Sequence, residues 1–282
     1  MVTHDVFENR YYITANIIME RPLHVGKGIS LEPVGTDLPI VKTIDGKPYI
    51  PGSSIKGVMR SEIERILRTL DSQRISLNGL RLWACNTLDE KERCIPPRKG
   101  LNPQRRSREE LEEECKVNGG IDEEKLTQRI LDHSCTACKL FGSTEIASRI
   151  YVKDAFLNGN FTRTEIRDGI AIDRDTGTVK EGAKFDYEIV PAGTKFRLEM
   201  ILENMEEWEV GLLGLFFKLW ERGEIAIGGK TSAGLGWSRI EDLKIEKVDK
   251  DSLIDYLTEE KRIEVNLDRL ISVFKSKLKG GE

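Results

Sequence analysis

Apolar and polar residues along the chain fall into a small number of strongly patterned stretches. Tyr12–Glu20 (YITANIIME) is apolar with partial alternation and several β-branched residues, and it predicts a strand. Lys195–Glu203 (KFRLEMILE) alternates cleanly and predicts a half-buried strand; Ser148–Phe156 (SRIYVKDAF) and Trp237–Val248 predict two more. Beyond Pro51-Gly52, Ile55, Val58, Met59, Ile63, Ile66, Leu67 and Leu70 recur at i, i+3, i+4 spacing, which predicts a helix capped by Ser53 or Ser54. Glu206–Arg222 predicts a second helix with a broad apolar face of Val210, Leu212, Leu213, Leu215, Phe216, Leu219 and Trp220, and the C-terminal 30 residues predict one amphipathic helix with a frayed KGGE end.

The stretches between are of other kinds. Arg21–Pro48 is rich in Gly, Pro and Asp and predicts a long loop, with a short strand near Leu38–Thr43. Residues 71–132 carry a Pro-Pro, a basic cluster (Arg105, Arg106, Arg108) and the acidic run EELEEE, a pattern for short surface helices and loops. Arg163–Pro191 has little apolar content and an Asp-Thr-Gly turn at 175–177, which predicts a projecting hairpin. Helices alternating with antiparallel strands predict an α+β fold, most economically a ferredoxin-like β-α-β-β-α-β unit.

Composition narrows this further. With 282 residues, 39% hydrophobic and 33% charged, the chain is a globular protein large enough for a substantial core. No apolar run approaches the roughly 20 residues of a membrane span, and the acidic start MVTHDVFENRYY is not a secretory signal. A cytoplasmic location without membrane contact is therefore expected. The net charge of −4 argues against unaided coating by nucleic acid and leaves room for a local basic groove.

Four motifs carry candidate chemistry. In PGSSIKGVMR, Ser53, Ser54, Lys56 and Arg60 place cap hydroxyls and two cations at a helix start, as an anion site requires; plain capping with solvated cations is an equal reading. The sequence lacks the G-x-x-x-x-G-K-[ST] pattern, so triphosphate chemistry is not indicated. In GGKTSAGLGW, Gly228, Gly229, Ala233, Gly234 and Gly236 permit close backbone approach beside Lys230, Thr231 and Ser232; a plain turn is the alternative. Cys135-Thr-Ala-Cys138 is a C-x-x-C knuckle, and with Cys85 and Cys94 it makes a candidate four-thiolate zinc site. His133 and Cys115 are substitute ligands, although Cys115 looks more like a packing residue, and free buried thiols are the bland reading. Asp37 (VGTDLPI) is by itself a turn former, and His4, His24 and His133 make no nucleophilic triad.

Taken in order, LHVGKG (23–28), GTDLPIV (35–41), YIPGSSIKGVMR (49–60), CKLFGS (138–143), SRIYVKDA (148–155), the segment 168–196 and GGKTSAGLG (228–236) resemble the RAMP superfamily of CRISPR-associated proteins, and more closely the backbone subunit of type III effector complexes. The resemblance implies a single domain over 1–282 with an RNA-recognition-motif-like core. It further implies an inserted zinc-bearing lid at 71–147 and a hairpin thumb at 160–192. It implies guide RNA, complementary target RNA, other effector subunits and copies of the same chain as partners in antiviral defence. Guide phosphates would be held by His24, Lys27, Ser53, Ser54, Lys56, Arg60, Gly228, Gly229, Lys230, Thr231 and Ser232, the helix start and glycine loop closing on one strand. The thumb would contribute Arg163, Arg167, Ile170, Ile172 and Arg174; with five cations against seven carboxylates between Arg163 and Glu188, its grip rests on shape and the two isoleucines. Asp37 matches the residue required for target cleavage. It would hold a divalent cation such as Mg²⁺ or Mn²⁺, or orient the 2′-hydroxyl, since an ionised carboxylate is a feeble base for a ribose hydroxyl. Three alternatives stand beside this reading: a backbone subunit that binds RNA without cutting, a stand-alone guide-processing endoribonuclease, and a zinc-stabilised interaction domain. The EELEEE run and the Arg105–Arg108 cluster are expected to serve subunit contacts or solubility.

Overall fold

The computed structural model describes residues 5–28, 36–117, 119–161 and 163–279. Strand β1 (Asn9–Met19) is followed by helix α1 (Gly52–Ser72). Three short helices occupy the insertion: α2 (Arg108–Glu114), α3 (Glu123–His133) and α4 (Thr136–Phe141). Then come β2 (Ile150–Val152), the hairpin β3 (Glu165–Ile172) and β4 (Val179–Ile189), β5 (Lys195–Glu203), helix α5 (Glu207–Glu221) and β6 (Trp237–Asp249). Helices α6 (Leu253–Glu259) and α7 (Leu267–Lys277) close the described chain.

The long strands pair antiparallel in the order β6-β1-β5-β2. Leaving out the insertion and the hairpin, the chain runs β-α-β-β-α-β through this sheet, a mixed α/β architecture built on antiparallel strands. Strand alternation sets the two faces. On β1, Tyr11, Ile13, Ala15 and Ile17 are buried while Tyr12, Thr14 and Asn16 are half-buried on the other face. From α1, Ile55, Met59, Ile63 and Leu67 are buried at steps of one helical turn, each contributing about 1.5–3 kcal/mol by leaving water. Helix α5 is buried nearly all round because α7 covers its outer side. That packing is close: a Cβ at Gly211 would lie 2.2 Å from the Leu270 carbonyl oxygen.

Three expectations are corrected. Neither Ser53 nor Ser54 caps α1: Pro51 precedes the helix without a side-chain cap bond, and the Asp154 carboxylate accepts the Gly52 N–H at 2.8 Å. Gly52 is there for packing, since a Cβ would meet the Val152 carbonyl oxygen at 2.1 Å. The C-terminal helix is two helices, because the polar run Glu259–Arg262 breaks the apolar period; Glu260 takes a left-handed conformation and Ile263–Glu264 pairs with β6. The short strand near Leu38–Thr43 is a set of isolated bridges instead, Leu38 to Tyr187, Ile40 to Gly26 and Lys42 to Pro48. His4, residues 29–35 of the long loop with the Gly35 of GTDLPIV, and the last three residues of KGGE lie outside the described residues.

The basic and acidic runs of the insertion pair with each other. Arg106 meets Glu110 and Glu114, Arg108 meets Glu112 and Glu145, and Arg129 meets Glu114. A buried ion pair ties the insertion to the core: the Arg149 guanidinium bonds Glu209, the Lys139 carbonyl and the Asn204 carbonyl at 2.8–2.9 Å.

Candidate functional site

Three chain segments converge at the edge of β4. Leu23 and Val190 exchange backbone hydrogen bonds at 2.9 and 2.8 Å, and the Glu188 N–H donates to the Leu38 carbonyl at 3.0 Å. The glycine loop joins them: the Gly229 N–H donates to the His24 carbonyl at 2.8 Å. Gly228 holds a φ of 85°, and a Cβ there would lie 2.4 Å from that same carbonyl oxygen, so only glycine serves.

Within this convergence Asp37 and Asp186 hold each other. The Asp37 N–H donates to Asp186 Oδ1 at 2.7 Å, and the Asp186 N–H donates to Asp37 Oδ2 at 3.0 Å. Asp37 is exposed and Asp186 half-buried. The His24 ring is buried, with Nδ1 2.7 Å from the Glu188 carbonyl oxygen. A carbonyl only accepts, so Nδ1 carries a proton and donates it in this bond. Glu188 is buried beneath, accepting from Lys42, Thr164 and the Ile40 N–H. Burial works to raise the Glu188 carboxyl, but these three hydrogen bonds outweigh it and hold the group below the usual carboxylate range.

Lys230, in a left-handed conformation, sets its ammonium 4.6 Å from the centre of the Phe185 ring and 4.8 Å from that of Tyr187. Phe185 in turn lies across Gly169 of the opposite strand, where a Cβ would be 2.3 Å from the ring. Thr231 is half-buried, and Ser232, Lys27, Arg163, Arg167, Ile170, Ile172 and Arg174 are exposed. Phe185, Asp186, Tyr187, Glu188 and Lys42 were not anticipated from the sequence. The signal was present in FDYE at 185–188, a strand that alternates aromatic and acidic residues with no core to explain either set.

Lys56 and Arg60 point elsewhere. The Lys56 ammonium donates to Ser148 Oγ at 2.7 Å and to the Ile150 carbonyl at 3.0 Å; burial, with the neighbouring Arg60 charge, lowers its pKa. Arg60 donates to Glu64 at 2.7 Å, to the Gly142 carbonyl at 2.9 Å and toward Cys138 Sγ at 3.6 Å. Arg68, further along α1, donates to the Cys85 carbonyl at 2.9 Å. The expectation of a free cationic helix start is corrected accordingly: Lys56 fastens α1 to the start of β2, Arg60 and Arg68 fasten it to the insertion, and Asp154 takes the first N–H. Ser53 is exposed and Ser54 half-buried.

The cysteines form a second site. The sulfurs of Cys85, Cys94, Cys135 and Cys138 lie within 4.8 Å of one another, and all four residues are buried. A tetrahedral zinc with Zn–S bonds of about 2.3 Å holds its sulfurs roughly 3.8 Å apart, so this donor set fits a four-thiolate metal. The Cys138 N–H donates to Cys135 Sγ at 3.3 Å, which fixes the knuckle at the start of α4. Cys115 is buried at the end of α2 and His133 ends α3, and neither belongs to the cluster.

Comparison with known proteins gives two kinds of likeness. The family described as the RAMP superfamily matches residues 17–241. The "CRISPR system Cms endoribonuclease Csm3" of Methanocaldococcus jannaschii is 26% identical over 238 residues, covering 81% of this chain and 77% of that protein. The protein of the same name from Methanothermobacter thermautotrophicus is 43% identical over 75 residues, 26% of this chain and 29% of that protein. Among the described residues, no helix is long and apolar enough to cross a membrane.

Proposed function

The chain belongs to the RAMP superfamily, and from that premise we propose that it is the backbone subunit of a type III CRISPR ribonucleoprotein, an endoribonuclease that holds guide RNA and cuts the complementary target. The relatives' printed names support the activity. The observation that carries the residue assignment is the placement of Asp37 on the edge of the hairpin, in the same convergence as the glycine loop and Lys230.

The exposed Lys27 and Ser232 and the Lys230 ammonium bind phosphates, and such contacts position RNA without reading its bases. Ile170 and Ile172 on the exposed hairpin press against the guide–target duplex and open the strand locally. Asp37 Oδ2 is taken by the Asp186 N–H, which leaves Oδ1 to face RNA. Oδ1 accepts from the target's 2′-hydroxyl and orients its oxygen in line with the adjacent phosphorus. The 2′-hydroxyl gives its proton to solvent as its oxygen bonds phosphorus; the P–O5′ bond breaks and O5′ takes up a proton. The products are a 2′,3′-cyclic phosphate and a 5′-hydroxyl. A hard carboxylate oxygen also suits a Mg²⁺ or Mn²⁺ ion, which when bound beside Asp37 would neutralise charge on the phosphate. Zinc on the four thiolates holds the insertion in shape. Subunits stack along the guide.

In the assembled complex, Asp37→Ala is expected to abolish target cleavage while guide RNA binding stays at the wild-type level. Undiminished cutting by that variant complex overturns the assignment.

A further inference from the structure

Asp37 has a companion whose role the reading above leaves open. Resting on that reading, we propose that Asp186 is a positioning residue for cleavage, acting through Asp37 by fixing where its carboxylate points. Asp37 lies in an exposed loop segment, and an exposed aspartate on a loop ordinarily samples several rotamers. Two hydrogen bonds remove that freedom here. One comes from the Asp186 backbone to Asp37 Oδ2 at 3.0 Å and fixes the side chain; the other runs from the Asp37 backbone to Asp186 Oδ1 at 2.7 Å and fixes the main chain that bears it. The second bond depends on the identity of residue 186, because only a short side chain ending in an acceptor reaches the neighbouring N–H.

The pairing brings two carboxylates onto adjacent chain segments, an arrangement that like-charge repulsion opposes. It persists because each carboxylate accepts an N–H from the other segment, and because Leu38 bridges Tyr187 alongside. Asp186 sits on β4 between Phe185 and Tyr187, the two rings beneath Lys230. One strand therefore aims both the cation for phosphate and the carboxylate for the ribose. The segment carrying Asp37 is joined to the hairpin at residues 186–188, so the position of the catalytic oxygen follows that of the hairpin.

The test is single-turnover cleavage of target RNA by the reconstituted complex carrying Asp186→Ala or Asp186→Asn, with Asp37→Ala alongside. Asparagine keeps an acceptor oxygen within reach of the Asp37 N–H and removes the charge; alanine removes both. Loss of one charge-assisted hydrogen bond that aims a reacting group predicts a rate about 10- to 100-fold lower for Asp186→Ala. Guide and target affinities should stay within about twofold, and Asp186→Asn should recover most of the rate. Wild-type cutting by Asp186→Ala overturns the inference, and so does an Asp186→Asn rate as low as that of alanine, which would give the charge a direct role. An Asp37→Ala complex that cuts normally instead overturns the assignment of Asp37 itself.

Discussion

Single residues in this protein are held by partners far away in the chain. Arg149 and Glu209 are the clearest case: both are buried, and they pair across sixty positions between the residue before β2 and the first turn of α5. Removing one partner leaves the other as an uncompensated buried charge, which costs about 3–5 kcal/mol. Arg149→Ala should lower the unfolding free energy by about that amount, read from urea midpoints, whereas a double replacement by apolar residues of similar volume should recover much of it. Glu188 gives a pH signature of its own. Its folded-state carboxyl is held below the ordinary range, so the stability it contributes is complete above the unfolded-state value of about 4.3 and is lost as pH falls below it. The melting temperature of the wild type should exceed that of Glu188→Gln at pH 7, and the gap should close toward pH 3. A gap that widens on acidification contradicts the sign. Neither pairing is legible in the sequence, because a charge pattern does not say which distant backbone brings the partner.

At the scale of elements, periodicity was a reliable guide wherever packing alone decides. The alternation of Lys195–Glu203 gives β5 to the residue, and the helical spacing after Pro51 gives α1. It failed where polar groups decide. Lys56 and Arg60 read as anion ligands because their face is polar, but Lys56 bonds the backbone at the start of β2 and Arg60 that of the cysteine-bearing insertion. The same geometry makes the insertion depend on its cysteines. Four thiolates drawn to a metal would contribute folding free energy there directly. Purified protein should carry close to one zinc per chain, and Cys85→Ser or Cys138→Ser should abolish that stoichiometry. Hydrogen exchange should then quicken across 82–142, including α4, while the amides of β1 and β5 stay protected. Full protection of the insertion in metal-free protein would argue for free thiols packed as ordinary apolar side chains.

Taken whole, the molecule carries a net charge of −4 and is proposed to grip a polyanion. The structure resolves part of this tension, since many of its charges are matched internally. The acidic run at 109–114 pairs with the arginines of its own insertion. Long-range repulsion of RNA by such matched pairs is screened within about 8 Å at physiological salt. What governs binding is then the cations outside such pairs, and among the described ones Lys230 is set apart by being seated on two aromatic rings next to the hairpin. A cation held by rings keeps its full charge for phosphate, whereas one held by a carboxylate does not. Lys230→Ala should therefore weaken guide RNA binding by a similar factor for every guide sequence and reduce the slope of log K against log salt by about one. Charge reversal at Arg106, already shared between Glu110 and Glu114, should leave that slope unchanged and instead destabilise the insertion. If the two substitutions change the salt slope equally, binding follows total charge, and the local groove assigned to the glycine loop and hairpin is not the surface that meets the RNA.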